Sequence, residues 1–118
     1  MLRFEVINDE QMDSYVKNKR ALIIDVRDAE DYAKKHIENS INIPFEKLEK
    51  EYNKMPKDLM LVIYCDRGGS SMLAAKELFD RGYVVKALIG GIKGYNGKYL
   101  VKENSIWHNP KKKLYYTH

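Results

Sequence analysis

The residue types best suited to chemistry are concentrated in one short segment, Cys65-Asp66-Arg67-Gly68-Gly69-Ser70-Ser71. It holds the single cysteine of the sequence. Free cysteines usually serve as small buried hydrophobes, but an acid, an arginine and two glycines make a poor core environment. Gly68 and Gly69 permit positive φ angles and close backbone approach, so successive amides can turn inward as an anion-binding nest. Ser70 or Ser71 can cap a following helix through its hydroxyl. The amides, the start of that helix and Arg67 together favour an anionic sulfur. Cys65 therefore reads as a nucleophile, and Asp66, Arg67, Gly68, Gly69, Ser70 and Ser71 as the loop that binds its substrate.

Other candidates carry weaker signals. Asp25 and Arg27 close a run of apolar residues and either line the same pocket or form a structural ion pair, since such networks also arise without function. His36 titrates near neutrality and invites a general-base role. His108 and His118 show no metal-ligand spacing with Cys65, and Trp107 reads as a packing anchor.

An element must deliver Cys65 and another must receive the chain after it. Met60-Leu61-Val62-Ile63-Tyr64 is apolar throughout, as is Ala21-Leu22-Ile23-Ile24, and such continuous runs suit strands covered on both faces of a parallel sheet. A helix follows Ser71, with Ala75, Leu78 and Phe79 facing the core and Gly82 at the left-handed stop position. Phe4 to Ile7 and Tyr83 to Leu88 read as further strands, with Ile41-Asn42-Ile43 as a brief one stopped by Pro44. Asn8 and Gln11 form a capping box for a helix that puts Met12, Tyr15 and Val16 on one side. A short helix is expected from Asp28 through Lys35. Another carries Phe45, Leu48, Tyr52 and Met55 up to Pro56, with Glu46 and Lys50 spaced for an i,i+4 pair. Strands alternating with helices imply an α/β domain, a largely parallel central sheet with helices on both faces. Ligands collect at the carboxyl ends of such strands, where Cys65 stands.

At 118 residues the chain fits one domain, expected over residues 1–98, with residues 99–118 as an extension, packed or partly flexible. No apolar run approaches the roughly 20 residues needed to span a bilayer, and the N-terminus lacks a signal-peptide core. A cytoplasmic protein without membrane contact is expected. The net charge of +4 is spread along the chain. Lys111, Lys112 and Lys113 beside Tyr115 and Tyr116 read as a solvated tail, so no nucleic-acid partner is expected.

The sequence also resembles the rhodanese family at several points in the family's order. Asp25-Val26-Arg27 with Asp31-Tyr32 is similar to its Asp-x-Arg, acid-aromatic element. His36-Ile37 with Asn42-Ile43-Pro44 is similar to its His-Ile and Asn-Ile-Pro element. Residues Cys65 to Ser71 resemble the active-site loop, and Gly90-Gly91-Ile92 the closing Gly-Gly element. The combination, from about Phe4 to Tyr95, is far more specific than any single motif. It implies a rhodanese-like fold, sulfur transfer through a persulfide on Cys65, and a structural setting for His36. It also implies a small anionic donor such as thiosulfate, a thiol or cyanide acceptor, and no metal or organic cofactor. The commonest family loop has arginine where this chain has Ser70, and glycine precedes His-Ile where this chain has Lys35. Asn39-Ser40 replaces the usual Gly-Ala, and Tyr95 stands where tryptophan is frequent. Two other readings compete. One is a relay module that passes sulfur between protein partners. The other is a cysteine phosphatase or arsenate reductase, disfavoured because phosphatases set a clamping arginine where Ser71 stands.

Overall fold

The computed structural model describes residues 4–102; Trp107, His108, His118, the three lysines at 111–113 and the tyrosines beside them lie outside these residues. The chain runs β1 (Glu5–Ile7), α1 (Asp9–Val16), β2 (Ala21–Asp25), α2 (Ala29–Lys34), β3 (Lys35–Ile37), β4 (Ile41–Asn42), α3 (Phe45–Glu49), a 3-10 turn (Tyr52–Lys54), β5 (Met60–Tyr64), α4 (Gly69–Asp80), β6 (Val85–Leu88), a second 3-10 turn (Ile92–Gly94) and β7 (Leu100–Lys102). Five strands form one sheet in the order β1-β6-β5-β2-β4, and every pairing in it is parallel. The apolar runs of β2 and β5 lie side by side, Ala21 opposite Met60 through Asp25 opposite Tyr64.

Two cores follow from the pleat, because successive strand side chains point to opposite faces. Leu61, Ile63 and Cys65 join one cluster with Leu48 of α3 and Ala74, Ala75 and Leu78 of α4. Val62 and Tyr64 join the other with Met12 and Val16 of α1. Helices thus cover both faces, as the continuous apolar runs require. The capping box is present: the Asn8 side chain accepts from Gln11 N and the Gln11 side chain from Asn8 N. Gly82 ends α4 with φ +92°.

Two local expectations change. The helix after Asp28 stops at Lys34, and Lys35–Ile37 instead pairs antiparallel with β7. The apolar spacing from Phe45 to Met55 is divided between α3 and a 3-10 turn. Asn39, in the place of the family's glycine, takes φ +67°, a left-handed conformation asparagine tolerates, and its side-chain amide donates to Val16 O at 2.7 Å.

Candidate active site around Cys65

Strand β5 lies between β2 and β6 and ends where the chain turns into α4. Cys65 is the first residue beyond it, and its sulfur is held from below by the start of the helix. Gly68 takes φ +109° as the N-cap residue of α4, which aims its N–H at Sγ at 3.1 Å. Ser71 N–H also points at Sγ, at 3.4 Å. The Cys65 thiol lies 3.3 Å from Ser71 Oγ and donates to it; once the sulfur is ionised, the hydroxyl can donate instead. Two backbone donors and one hydroxyl thus converge on one sulfur atom at a helix N-terminus, a place where orphan amides and the helix dipole favour negative charge.

The loop residues divide by role. Asp66, Arg67, Gly69 and Ser70 border an open cleft of about 540 Å³ with Cys65 at its floor, whereas buried Gly68 and Ser71 hold the sulfur. Neither serine caps the helix: the N-cap is Gly68, with no side-chain cap bond. Of the two glycines only Gly68 needs a positive φ.

The loop rests on a second turn. Ile92 N donates to Cys65 O at 2.8 Å and Lys93 N to Asp66 O at 3.0 Å. Gly91 permits this approach: its φ is +62°, and a Cβ there would overlap the backbone carbonyls of Cys65 and Asp66. The Gly-Gly element recognised in the sequence is therefore the rear wall of the site.

Asp25 and Arg27 form a buried ion pair, Nη2 to Oδ2 at 2.8 Å. Arg27 Nη2 also donates to Lys35 O at 2.6 Å, and Nη1 approaches Asp66 Oδ1 at 3.6 Å. Burial works against the Arg27 charge, but the Asp25 carboxylate outweighs it and holds the guanidinium above its ordinary pKa. Asp25 is fully buried behind Arg27, while Arg27 itself borders the cleft. His36 lies outside the cleft lining, stacked on Tyr32 with ring centroids 3.9 Å apart. Burial lowers its pKa.

Lys93 was not singled out in the sequence, yet it borders the cleft with Arg27 and Arg67. Its signal was its position directly after Gly90-Gly91-Ile92, because the turn that braces the loop also turns its next residue toward the site. Phe45 and Glu46 complete the opposite rim. Among the described residues no group of acids, histidines and cysteine is placed to hold a metal ion, and no helix is long and apolar enough to cross a membrane.

Comparisons with known proteins agree with this geometry. A sequence model described as Rhodanese-like domain matches residues 8–98. Thiosulfate sulfurtransferase GlpE of Coxiella burnetii is 36% identical over 77 residues, covering 64% of this chain and 72% of that protein. The tRNA sulfurtransferase of Desulfurococcus amylolyticus is 35% identical over 75 residues, 64% of this chain but 15% of that protein. The crystal structure of a rhodanese-related protein from Thermoplasma volcanium superposes with a TM-score of 0.71 at 26% identity, covering 83% of this chain and 98% of that one.

Proposed function

The chain belongs to the rhodanese-like domain family of sulfurtransferases, and from that premise we propose that it moves sulfane sulfur from thiosulfate or a persulfide donor through a persulfide on Cys65. The observation that carries the reading is the convergence of Gly68 N–H, Ser71 N–H and Ser71 Oγ on Cys65 Sγ at the floor of a cleft rimmed by Arg27, Arg67 and Lys93.

In the first half-reaction the Cys65 thiolate attacks the outer sulfur of thiosulfate. The new bond joins the two sulfurs, the donor's sulfur–sulfur bond breaks, and its electron pair leaves with sulfite. The rim cations hold the donor's sulfonate end, while the loop amides stabilise the anionic sulfur in the manner of an oxyanion hole. In the second half a thiolate or cyanide attacks the outer sulfur of the persulfide, and the bonding pair returns to Cys65. Two displacements through one covalent intermediate give ping-pong kinetics. A lone thiol used in this way suits a reducing compartment such as the cytoplasm. The reading needs no metal or organic cofactor. It takes residues 1–98 as the catalytic domain and 99–118 as an extension that begins with strand β7, packed on the domain through its pairing with β3.

Intact mass spectrometry tests it. Incubation with thiosulfate should add the mass of one sulfur to the wild type, removable by cyanide, and none to Cys65→Ser. A wild type that never gains the mass, or a variant that gains it equally, removes Cys65 from the reaction.

A further inference from the structure

The two rims of the Cys65 cleft differ in charge. Phe45 N donates to Val26 O at 2.9 Å, which sets the start of α3 beside the turn from β2 into α2. Asp28, the N-cap residue of α2, and Glu46, in the first turn of α3, therefore border the cleft from one side together with Phe45. On the opposite rim Lys93 N donates to Asp66 O at 3.0 Å, which sets Lys93 beside the loop that carries Arg67. Asp31 and Asp66 also border the cleft, but both belong equally to a neighbouring basin lined by lysines, and Asp66 leans on Arg27. Arg27 is itself matched by Asp25. Asp28 and Glu46 are thus the carboxylates that border the cleft and not that basin. Neither has an ion-pair partner among the described residues, and Lys50, four residues after Glu46, does not pair with it. Both acids stand at helix starts, where a carboxylate is tolerated without a protein counter-charge.

Thiosulfate uses only half of such a site. Its sulfonate suits Arg67 and Lys93, but it carries no cation for Asp28 and Glu46. Once sulfite has left, the basic rim is free again, and the second substrate meets both rims with the persulfide between them. We propose that the acceptor is a small zwitterionic aminothiol, whose ammonium lies against Asp28 and Glu46 while its carboxylate lies against Arg67 and Lys93. Half-buried Phe45 adds apolar contact for the short carbon chain that joins the two charges. The proposal rests on the persulfide reading above. The acceptor thiol gives its proton to water, and the thiolate attacks the outer sulfur of the Cys65 persulfide. The new sulfur–sulfur bond forms on the acceptor, the bond to Cys65 Sγ breaks, and its electron pair regenerates the Cys65 thiolate.

The test uses thiols of similar length that differ in charge: L-cysteine, cysteamine, 3-mercaptopropionate and 2-mercaptoethanol, with thiosulfate as donor. Each variant is compared with wild type on the same thiol, so the thiol's own acidity cancels. In Asp28→Asn/Glu46→Gln, kcat/KM should fall about tenfold for L-cysteine and cysteamine, the two that carry an ammonium, and should not fall for the other two. Lys93→Ala should instead lower it about fivefold for L-cysteine and 3-mercaptopropionate, the two that carry a carboxylate. If L-cysteine and 3-mercaptopropionate respond alike to loss of the acids, whether both fall or neither does, the proposal is overturned. S-methyl-L-cysteine, which cannot accept sulfur, should protect Cys65 of the wild type from iodoacetamide, and about tenfold more of it should be needed in the double variant. Equal protection in the two proteins, or none in either, also overturns the proposal. That arm needs no persulfide, whereas the mass of Cys65 after thiosulfate reads the persulfide alone, so either can fail without the other.

Discussion

Two exposed cations, Arg67 and Lys93, face the cleft from different loops, and each is expected to hold the donor rather than to activate the sulfur. The donors aimed at Sγ are the backbone amides of Gly68 and Ser71, which no side-chain substitution removes. Arg67→Ala and Lys93→Ala should therefore each raise the KM for thiosulfate about fivefold, the scale of one exposed charge contact. The rate at which neutral iodoacetamide alkylates Cys65 should stay within about twofold of wild type in both. A collapse of alkylation in Arg67→Ala would assign control of the sulfur to the arginine instead of the loop. Ser71 supports a second prediction. It is buried and spends its hydroxyl on Cys65, so the position that clamps phosphate in cysteine phosphatases has no cation. Aryl phosphate hydrolysis should fall far below sulfur transfer measured on the same preparation, and Cys65-dependent hydrolysis exceeding it would overturn the assignment.

The element that braces the loop is the turn at Gly90 and Gly91, and the two glycines make an internal control. Both have positive φ, but a Cβ at Gly90 meets nothing within 4 Å, whereas one at Gly91 runs into the carbonyls behind Cys65. Gly90→Ala should cost about 1 kcal/mol from backbone strain alone. Gly91→Ala should cost about 2–4 kcal/mol and depress sulfur transfer further than its stability loss explains, because the loop must shift. Thermal melts paired with activity of the folded fraction check both. These elements also show what the sequence can reveal. The uninterrupted apolar runs of Ala21–Ile24 and Met60–Tyr64 mark central strands, since only strands covered on both faces have no polar side. The glycine-rich segment after Cys65 marks the anion turn. Strand β3 was hidden because His36 and Ile37 follow a helical stretch without a break, and its partner β7 lies beyond the weakening of the apolar rhythm near Asn96. A three-residue strand is decided by pairing, which periodicity does not encode. Lys93 was hidden for a related reason: its role comes from a turn brought beside Cys65 by the sheet.

For the molecule as a whole, the Asp25–Arg27 pair is expected to matter for stability. Asp25→Asn leaves a buried guanidinium without its counter-charge, at a cost of about 3–5 kcal/mol, and Tm should fall by roughly 15 °C or more. Acid should act through His36. Its folded pKa lies below the unfolded value of 6.5 because burial disfavours the cation, so the unfolded chain binds the proton more readily. Its contribution is intact above about pH 6.5 and is lost as the pH falls through the folded value. Urea unfolding at pH 8 and pH 5 should show a smaller loss in His36→Asn than in wild type. A further consequence follows from where β5 sits. It pairs with β2, earlier in the chain, and with β6, later, and Cys65 O is then closed off by Ile92 N. The donors of the nest lie within six residues of Cys65, but the strands and the turn that brace them come from both earlier and later in the chain. A newborn chain carries an ordinary, unsheltered thiol, and only long-range closure, the slow kind, turns it into a guarded reagent. On refolding from denaturant, shelter from bulky maleimides and sulfur-transfer competence should return together, in the last kinetic phase.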